Sequence, residues 1–205
     1  MFTDPVQNHL NQWGSVIFFI VLYASVLFLA PFYRKVDKKP ATAYLAFVTA
    51  FAVEMHGIPF SMYLISAVIG KALPDGILWG HTLNQYIGFW GMYINIVLSV
   101  TGVIIIASGW RLIHKHYWSK EKGQGCLVTE GVYKYIRHPQ YTGFFLLTLG
   151  MTIEWASLAL LLMLPVVFVM YCRLAKKEEA DMIAEFGDAY RDYMKNTKRF
   201  IPFVI

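Results

Sequence analysis

Tyr86-Ile87-Gly88-Phe89-Trp90-Gly91-Met92-Tyr93-Ile94-Asn95-Ile96-Val97-Leu98-Ser99-Val100-Thr101-Gly102-Val103-Ile104-Ile105-Ile106-Ala107-Ser108-Gly109-Trp110-Arg111-Leu112-Ile113 carries no charged side chain before Arg111. A helix needs about 20 mostly apolar residues to cross a hydrocarbon core of about 30 Å, and this stretch supplies them. Gly88, Gly91, Ser99, Gly102 and Gly109 are small residues that let a second helix come close.

Two earlier runs, Val16 to Tyr33 and Ala41 to Ile69, meet the same length criterion. A fourth begins near Tyr141 and breaks at Glu154-Trp155, and a fifth runs from Ala156 to Leu174 with Pro165 inside it. This last pair predicts a short helical hairpin, with Trp155 at the far interface and Pro165 bending the return arm. The expected fold is all-α: a polytopic transmembrane helical bundle of five spans, plus cytoplasmic C-terminal helices. Residues 1–205 read as one membrane domain, with three spans in 1–114 and the remaining pair in 115–205.

Composition agrees, since 57% of the chain is hydrophobic and only 15% charged, too apolar for a soluble fold of this size. The formal charge of +5 falls in short clusters beside the apolar runs, which suits loops facing an anionic leaflet and gives no reason to expect nucleic acid. Arg34, Lys35, Lys38 and Lys39 crowd the first loop, whereas the second, Gly70 to Gln85, holds only Lys71. Lys and Arg also follow the third and fifth runs, so the positive-inside rule puts the N-terminus outside and the C-terminus in the cytoplasm. Met1 to Ser15 has no Lys or Arg, and without a positive n-region the first run is expected to stay in the mature chain. Cys126 and Cys172 offer neither a disulfide framework nor a metal cluster, so no metal is expected.

The densest chemistry lies in Gly125-Cys126-Leu127-Val128-Thr129-Glu130-Gly131-Val132-Tyr133-Lys134-Tyr135-Ile136-Arg137-His138-Pro139-Gln140-Tyr141-Thr142-Gly143. Gly131 permits a turn, and Tyr133 and Arg137 are spaced to share one helix face. Pro139 biases His138 away from helical geometry and can start the next helix. Beyond the fifth run, Glu178 and Glu179 are adjacent; lying about 100° apart on a helix, each needs its own partner. Met182, Ile183 and Phe186 form an apolar stripe that Gly187 can close, and Asp188 can start another helix carrying Tyr190, Tyr193 and Met194. Two short amphipathic helices under the membrane are the expectation. Either cluster taken alone also fits a solvated surface.

The order Leu127-Val128-x-x-Gly131-x-Tyr133-x-x-x-Arg137-His138-Pro139-x-Tyr141-x-Gly143, a hairpin, Glu178-Glu179, Phe186-Gly187-x-x-Tyr190-x-x-Tyr193 and Arg199-Phe200-Ile201-Pro202 resembles the isoprenylcysteine carboxyl methyltransferases and their relatives, the phospholipid N-methyltransferases. The resemblance covers about Lys122 to the C-terminus. It implies S-adenosyl-L-methionine held outside any Rossmann fold, in keeping with the lack of a strand before Gly123-Gln124-Gly125. By position, Leu127, Val128, Gly131, Tyr133, His138, Pro139 and Tyr141 would line the cofactor site. Glu178 and Glu179 would bind the methionine amino group and neighbouring polar atoms. Arg137 and Tyr141 would stand at the reacting centre, with Arg137 and Arg199 steering an anionic substrate group.

The implied activity is methyl transfer to a lipophilic or lipid-modified substrate among the membrane lipids, a carboxylate first, with a phospholipid amine or small thiol as alternatives. Membrane sterol reductases carry a similar Arg-His-Pro-x-Tyr-x-Gly segment and use a nicotinamide cofactor, but there an acidic residue follows the glycine, where this chain has Phe144. A non-enzymatic transporter would instead be built on Glu54 and His56, ionisable residues within a span. Those two either line the substrate entrance or pair with other helices. The methyl acceptor and the oligomeric state stay open.

Overall fold

The computed structural model describes Val21 and residues 68–70, 83–88, 90–118, 125–155 and 158–202. The first two expected spans fall outside these residues apart from Val21, Val68 and Ile69, and so do Glu54 and His56. The chain divides into two compact units, Met1–Pro74 and Asp75–Ile205. The second contains the third apolar run and all of the chemistry-bearing half.

Its elements are a single turn α1 (Asn84–Ile87), α2 (Trp90–Ile113) continued by a π-helical turn at His114–Trp118, a 3-10 turn at Gly131–Lys134, α3 (Pro139–Trp155), α4 (Leu158–Phe186) and α5 (Asp188–Asn196). The described residues are helical and hold no strand; an isolated parallel bridge joins Ile136 to Lys198. Among them one helix, Trp90–Tyr117, is long and apolar enough to cross a membrane. At about 1.5 Å per residue its 28 residues reach about 42 Å.

α2 packs along α3 through a seam of small side chains. Gly91, Asn95, Ser99, Gly102, Ile106 and Gly109 recur on one face and are buried, opposite Pro139, Gly143, Leu147 and Gly150 of α3. The tightest point is Gly102 against Gly143. A methyl on Gly102 would lie 2.6 Å from the Gly143 carbonyl oxygen, and one on Gly143 would lie 2.5 Å from that of Gly102. Two backbones thus touch directly, which suits helix association by packing in a lipid solvent. Of the small residues expected at a contact, Gly88 alone stays exposed. At the far end of the seam the Asn95 side-chain amide donates to Glu154, and Ser99 Oγ donates to Asn95 Oδ1 at 2.8 Å.

α3 begins where the proline spacing predicts. Pro139, with no N–H to lose, takes the first helical position, while the His138 carbonyl accepts the Thr142 amide at 3.1 Å. α3 ends at Trp155, and α4 starts at Leu158. Ring contacts between Tyr141 and Tyr171 (5.2 Å) and between Phe145 and Phe168 (5.4 Å) show the two running antiparallel. The expected hairpin is present.

Two local expectations are corrected. The segment after the hairpin is not a separate short helix: α4 continues through Pro165, Glu178 and Glu179 to Phe186 without a break. Only α5 stands apart, because Gly187 adopts φ +57, a conformation that side chains with a Cβ disfavour. Tyr133 and Arg137 also do not share an α-helical face. The turn at Gly131 ends at Lys134, and from Ile136 to His138 the backbone is not helical and pairs with the C-terminal segment instead.

Candidate functional site

The loop Tyr135–His138 is held in place by a strap, Thr197 to Phe200. Arg137 N donates to the Lys198 carbonyl (2.8 Å), His138 N to the Arg199 carbonyl (3.1 Å) and Lys198 N to the Tyr135 carbonyl (3.4 Å). Thr142 Oγ1 adds a bond to the Phe200 carbonyl at 2.7 Å. These bonds supply backbone partners that an irregular segment must otherwise find in water. They fix the His138 side chain between α3 and α4.

Beneath the strap, α4 presents its two carboxylates in different directions. Glu179 is buried, its side chain 5% exposed. Its Oε1 accepts Arg137 Nε (2.9 Å) and Arg199 Nε (3.1 Å), and its Oε2 accepts Arg199 Nη2 (2.5 Å). Arg137 spends a second nitrogen on the Met194 carbonyl at 3.1 Å and on the Thr197 carbonyl. Glu178 keeps 48% of its side chain exposed; Tyr141 Oη donates to its Oε1, and its Oε2 lies 3.2 Å from His138 Nδ1. Each acidic side chain has its own set of partners, as the angular offset requires.

His138 sits between them, with Nε2 at 3.4 Å from Glu179 Oε1, an ion-pair distance rather than a well-formed hydrogen bond. Burial alone would lower the imidazole pKa, but the two carboxylates outweigh it and raise the value above that of an ordinary histidine. Burial alone would raise the Glu179 carboxyl; contacts with His138, Arg199 and Arg137 hold it well below the usual carboxylate range. The Tyr141 ring stacks between His138 (5.6 Å, 18°) and Tyr171 (5.2 Å, 13°), and Phe200 closes the side of the stack.

The structure therefore brings Arg137, His138, Tyr141, Glu178, Glu179 and Arg199 into one cluster. Tyr133 is joined to it through Gln140 Nε2, which donates to its phenol at 2.6 Å, and through Tyr193 Oη, which donates to its carbonyl at 2.6 Å. Burial pushes the Tyr133 phenol well up, so it stays neutral. Leu127 is half-buried and Val128 buried in the extended segment leading to the Gly131 turn. Pro139 and Gly131 face away, toward α2: the Pro139 ring occupies the space beside Gly109, and Gly131 lies against Leu112. Sequence reasoning missed Thr142, Tyr171 and the strap backbone, although the terminal Arg199-Phe200-Ile201-Pro202 pattern had marked the strap's position. Among the described residues no group of three metal-ligating side chains occurs.

Residues 83–189, more than half of the chain, match the family model described as phospholipid methyltransferase. Protein-S-isoprenylcysteine O-methyltransferase of Schizosaccharomyces pombe is 36% identical over 87 residues, 42% of this chain and 37% of that protein. Its counterpart in Mus musculus is 28% identical over 181 residues, covering 71% of this chain and 61% of the relative. Methanethiol S-methyltransferase of Crocosphaera subtropica is 29% identical over 96 residues, 47% of this chain and 37% of the relative. The chain thus spans less than two thirds of the length of these curated relatives.

Proposed function

Because this chain belongs to the phospholipid methyltransferase family, we propose that it transfers a methyl group from S-adenosyl-L-methionine to a lipophilic acceptor at the membrane surface. The observation that carries this reading is the meeting of the Arg137-His138 loop, the Glu178-Glu179 pair and the strap in one cluster. A donor with an ammonium, a carboxylate and a sulfonium requires fixed charges of both signs, and that cluster supplies them. In this reading residues 1–205 serve a single membrane methyltransferase activity. The chain makes five crossings with the N-terminus outside, residues 1–114 supplying three of them and 115–205 holding the donor.

The donor supplies an electrophilic methyl carbon. The acidic side of the cluster meets its positive groups, with Leu127, Val128, Tyr133, His138 and Tyr141 forming the surrounding wall and Gly131 and Pro139 seating that loop against α2. Arg137 and Tyr141 stand nearest the reacting centre. Arg199 is the more exposed guanidinium, 23% against 9% for Arg137, and is the one with surface left to meet an anionic headgroup. A carboxylate acceptor is already a nucleophile and needs no general base, so the protein's contribution is alignment and exclusion of water. An amine acceptor must first lose a proton, which His138 or a glutamate of the cluster would take.

The activity named for the relatives in Schizosaccharomyces pombe and Mus musculus favours a carboxylate; that of the Crocosphaera relative keeps a small thiol as the second reading. Purified protein titrated with S-adenosylhomocysteine and with NADPH is expected to bind the first and not the second; binding of NADPH alone refutes the proposal. Membranes given methyl-labelled donor are expected to yield base-labile product. A base-stable product moves the acceptor to an amine or thiol.

A further inference from the structure

The two adjacent glutamates are unequal in what they can still do. The Glu179 carboxylate faces two guanidinium groups, and both its oxygens already accept charged N–H donors. One negative charge therefore stands against two positive ones inside a site that is almost closed to water. A third cation would be repelled and would find few lone pairs left. Glu178 differs on each point. Its oxygens meet a phenol and one imidazole nitrogen, half its side chain is open, and no guanidinium in the cluster contacts it.

We infer that the pair is divided in function: Glu178 is the carboxylate that receives the ammonium of the methyl donor, and Glu179 is a positioning residue that clasps the C-terminal strap over the site. This rests on the methyl-donor reading for Glu178 alone. Glu179 acts through two arms. Arg199 belongs to the strap itself, and Arg137 also holds the carbonyls of Met194 and Thr197, where α5 gives way to the strap. The Arg199 carbonyl in turn fixes the His138 amide, so loosening the clasp moves the imidazole that stands beside Glu178. The division reverses the simplest assignment, in which both carboxylates contact the ligand.

The experiment compares two ligands on the full chain in detergent: S-adenosylhomocysteine and its analogue lacking the α-amino group. Wild-type protein is expected to lose about tenfold or more in affinity with the analogue, the scale of one charge-assisted hydrogen bond. In Glu178→Gln, whose side chain can still accept from Tyr141, that difference is expected to fall below about threefold. In Glu179→Gln both ligands are expected to weaken together and the difference to persist. Limited trypsin digestion without ligand gives the second readout. Cleavage after Lys198 is expected to accelerate in Glu179→Gln and not in Glu178→Gln. Arg199→Gln, which leaves Glu179 paired with Arg137, is expected to accelerate it too and serves if Glu179→Gln does not fold.

An amino-group difference that vanishes in Glu179→Gln and persists in Glu178→Gln overturns the division. So does a wild-type protein that binds both ligands equally. Unchanged cleavage in both strap variants overturns the clasp. If wild-type protein binds neither ligand, the methyl-donor reading and the role of Glu178 fall, and the digestion still decides the role of Glu179.

Discussion

The Arg137 guanidinium and the Glu179 carboxylate meet at 2.9 Å, with 9% and 5% of their side chains exposed. Burial removes the water that would otherwise satisfy either charge, so each depends on the other. Arg137 also serves two main-chain carbonyls where α5 ends. Arg137→Ala is expected to lower stability by about 3–5 kcal/mol, the usual cost of stranding one member of a buried pair. Arg137→Lys is expected to recover only part of this, since an ammonium cannot reproduce the planar fork. Thermal unfolding of both variants in the same detergent measures the difference.

His138 predicts a pH dependence with opposite signs for stability and for ligand binding. Its pKa is raised in the fold, so its contribution to stability is complete below the ordinary histidine value and is lost as pH rises through the folded value. The groups facing it are Glu178 and Glu179 from α4, the Tyr141 ring from α3 and Phe200 from the strap; Arg137 and Arg199 reach it only through Glu179. A protonated imidazole competes with a ligand ammonium for Glu178. Affinity for S-adenosylhomocysteine is therefore expected to improve as pH rises through a midpoint above about 6.5, the ordinary value. In Glu178→Gln, which removes one of the two facing carboxylates, the midpoint is expected to move down.

The clasp should resist acid. A depressed carboxyl gives stability that is present above its unfolded pKa and is lost only as pH falls through the lower folded value. Glu179 is held well below the usual range by His138, Arg199 and Arg137. Digestion with an acid-tolerant protease near pH 4.5, about where a free glutamate half-titrates, is expected to leave the strap as protected as at neutral pH. Release of the strap in that interval would show that the pair does not hold the carboxylate charged.

The contact between Gly102 and Gly143 leaves no room for a methyl group on either helix. The atom in the way is main-chain oxygen, so no side chain can rotate aside. Gly143→Ala is expected to cost about 1–3 kcal/mol or more through helix separation. It should also weaken ligand binding, because Tyr141 and His138 lie only two and five residues before the contact. Gly88→Ala meets nothing within 4 Å but sits at φ +52; its effect is expected to be local and smaller. Unfolding midpoints of the two variants separate packing from backbone strain.

Much of this architecture could be read before any coordinates. Pro139 marks a helix start for a reason intrinsic to proline, and Gly187 marks a stop for a reason intrinsic to glycine, so both ends fall where expected. Hydropathy located the hairpin but misled about its second arm. The polar residues from Lys176 onward signal departure from an apolar environment, which an α-helix survives unchanged, as α4 does. The partners of Glu179 come from a loop far upstream and a strap far downstream, and nothing local in Glu178-Glu179 says which carboxylate turns toward them. The non-helical backbone at Arg137 has the same origin, because the partner of its amide, the Lys198 carbonyl, lies at the other end of this half of the chain. Asn95 lies within an apolar run that gives no local sign of a partner, yet it reaches Glu154 on the facing helix.

The unbroken course of α4 gives the site a phase. Each residue added to or removed from a helix turns everything beyond it by about 100° and shifts it by about 1.5 Å. Between Leu164 and Cys172, where α4 carries no charged side chain, one inserted alanine would therefore swing Glu179 out toward solvent and carry another side chain between the two guanidinium groups. The apolar arm thereby acts as a ruler for the polar one, and its length is under constraint even where its individual side chains are exposed.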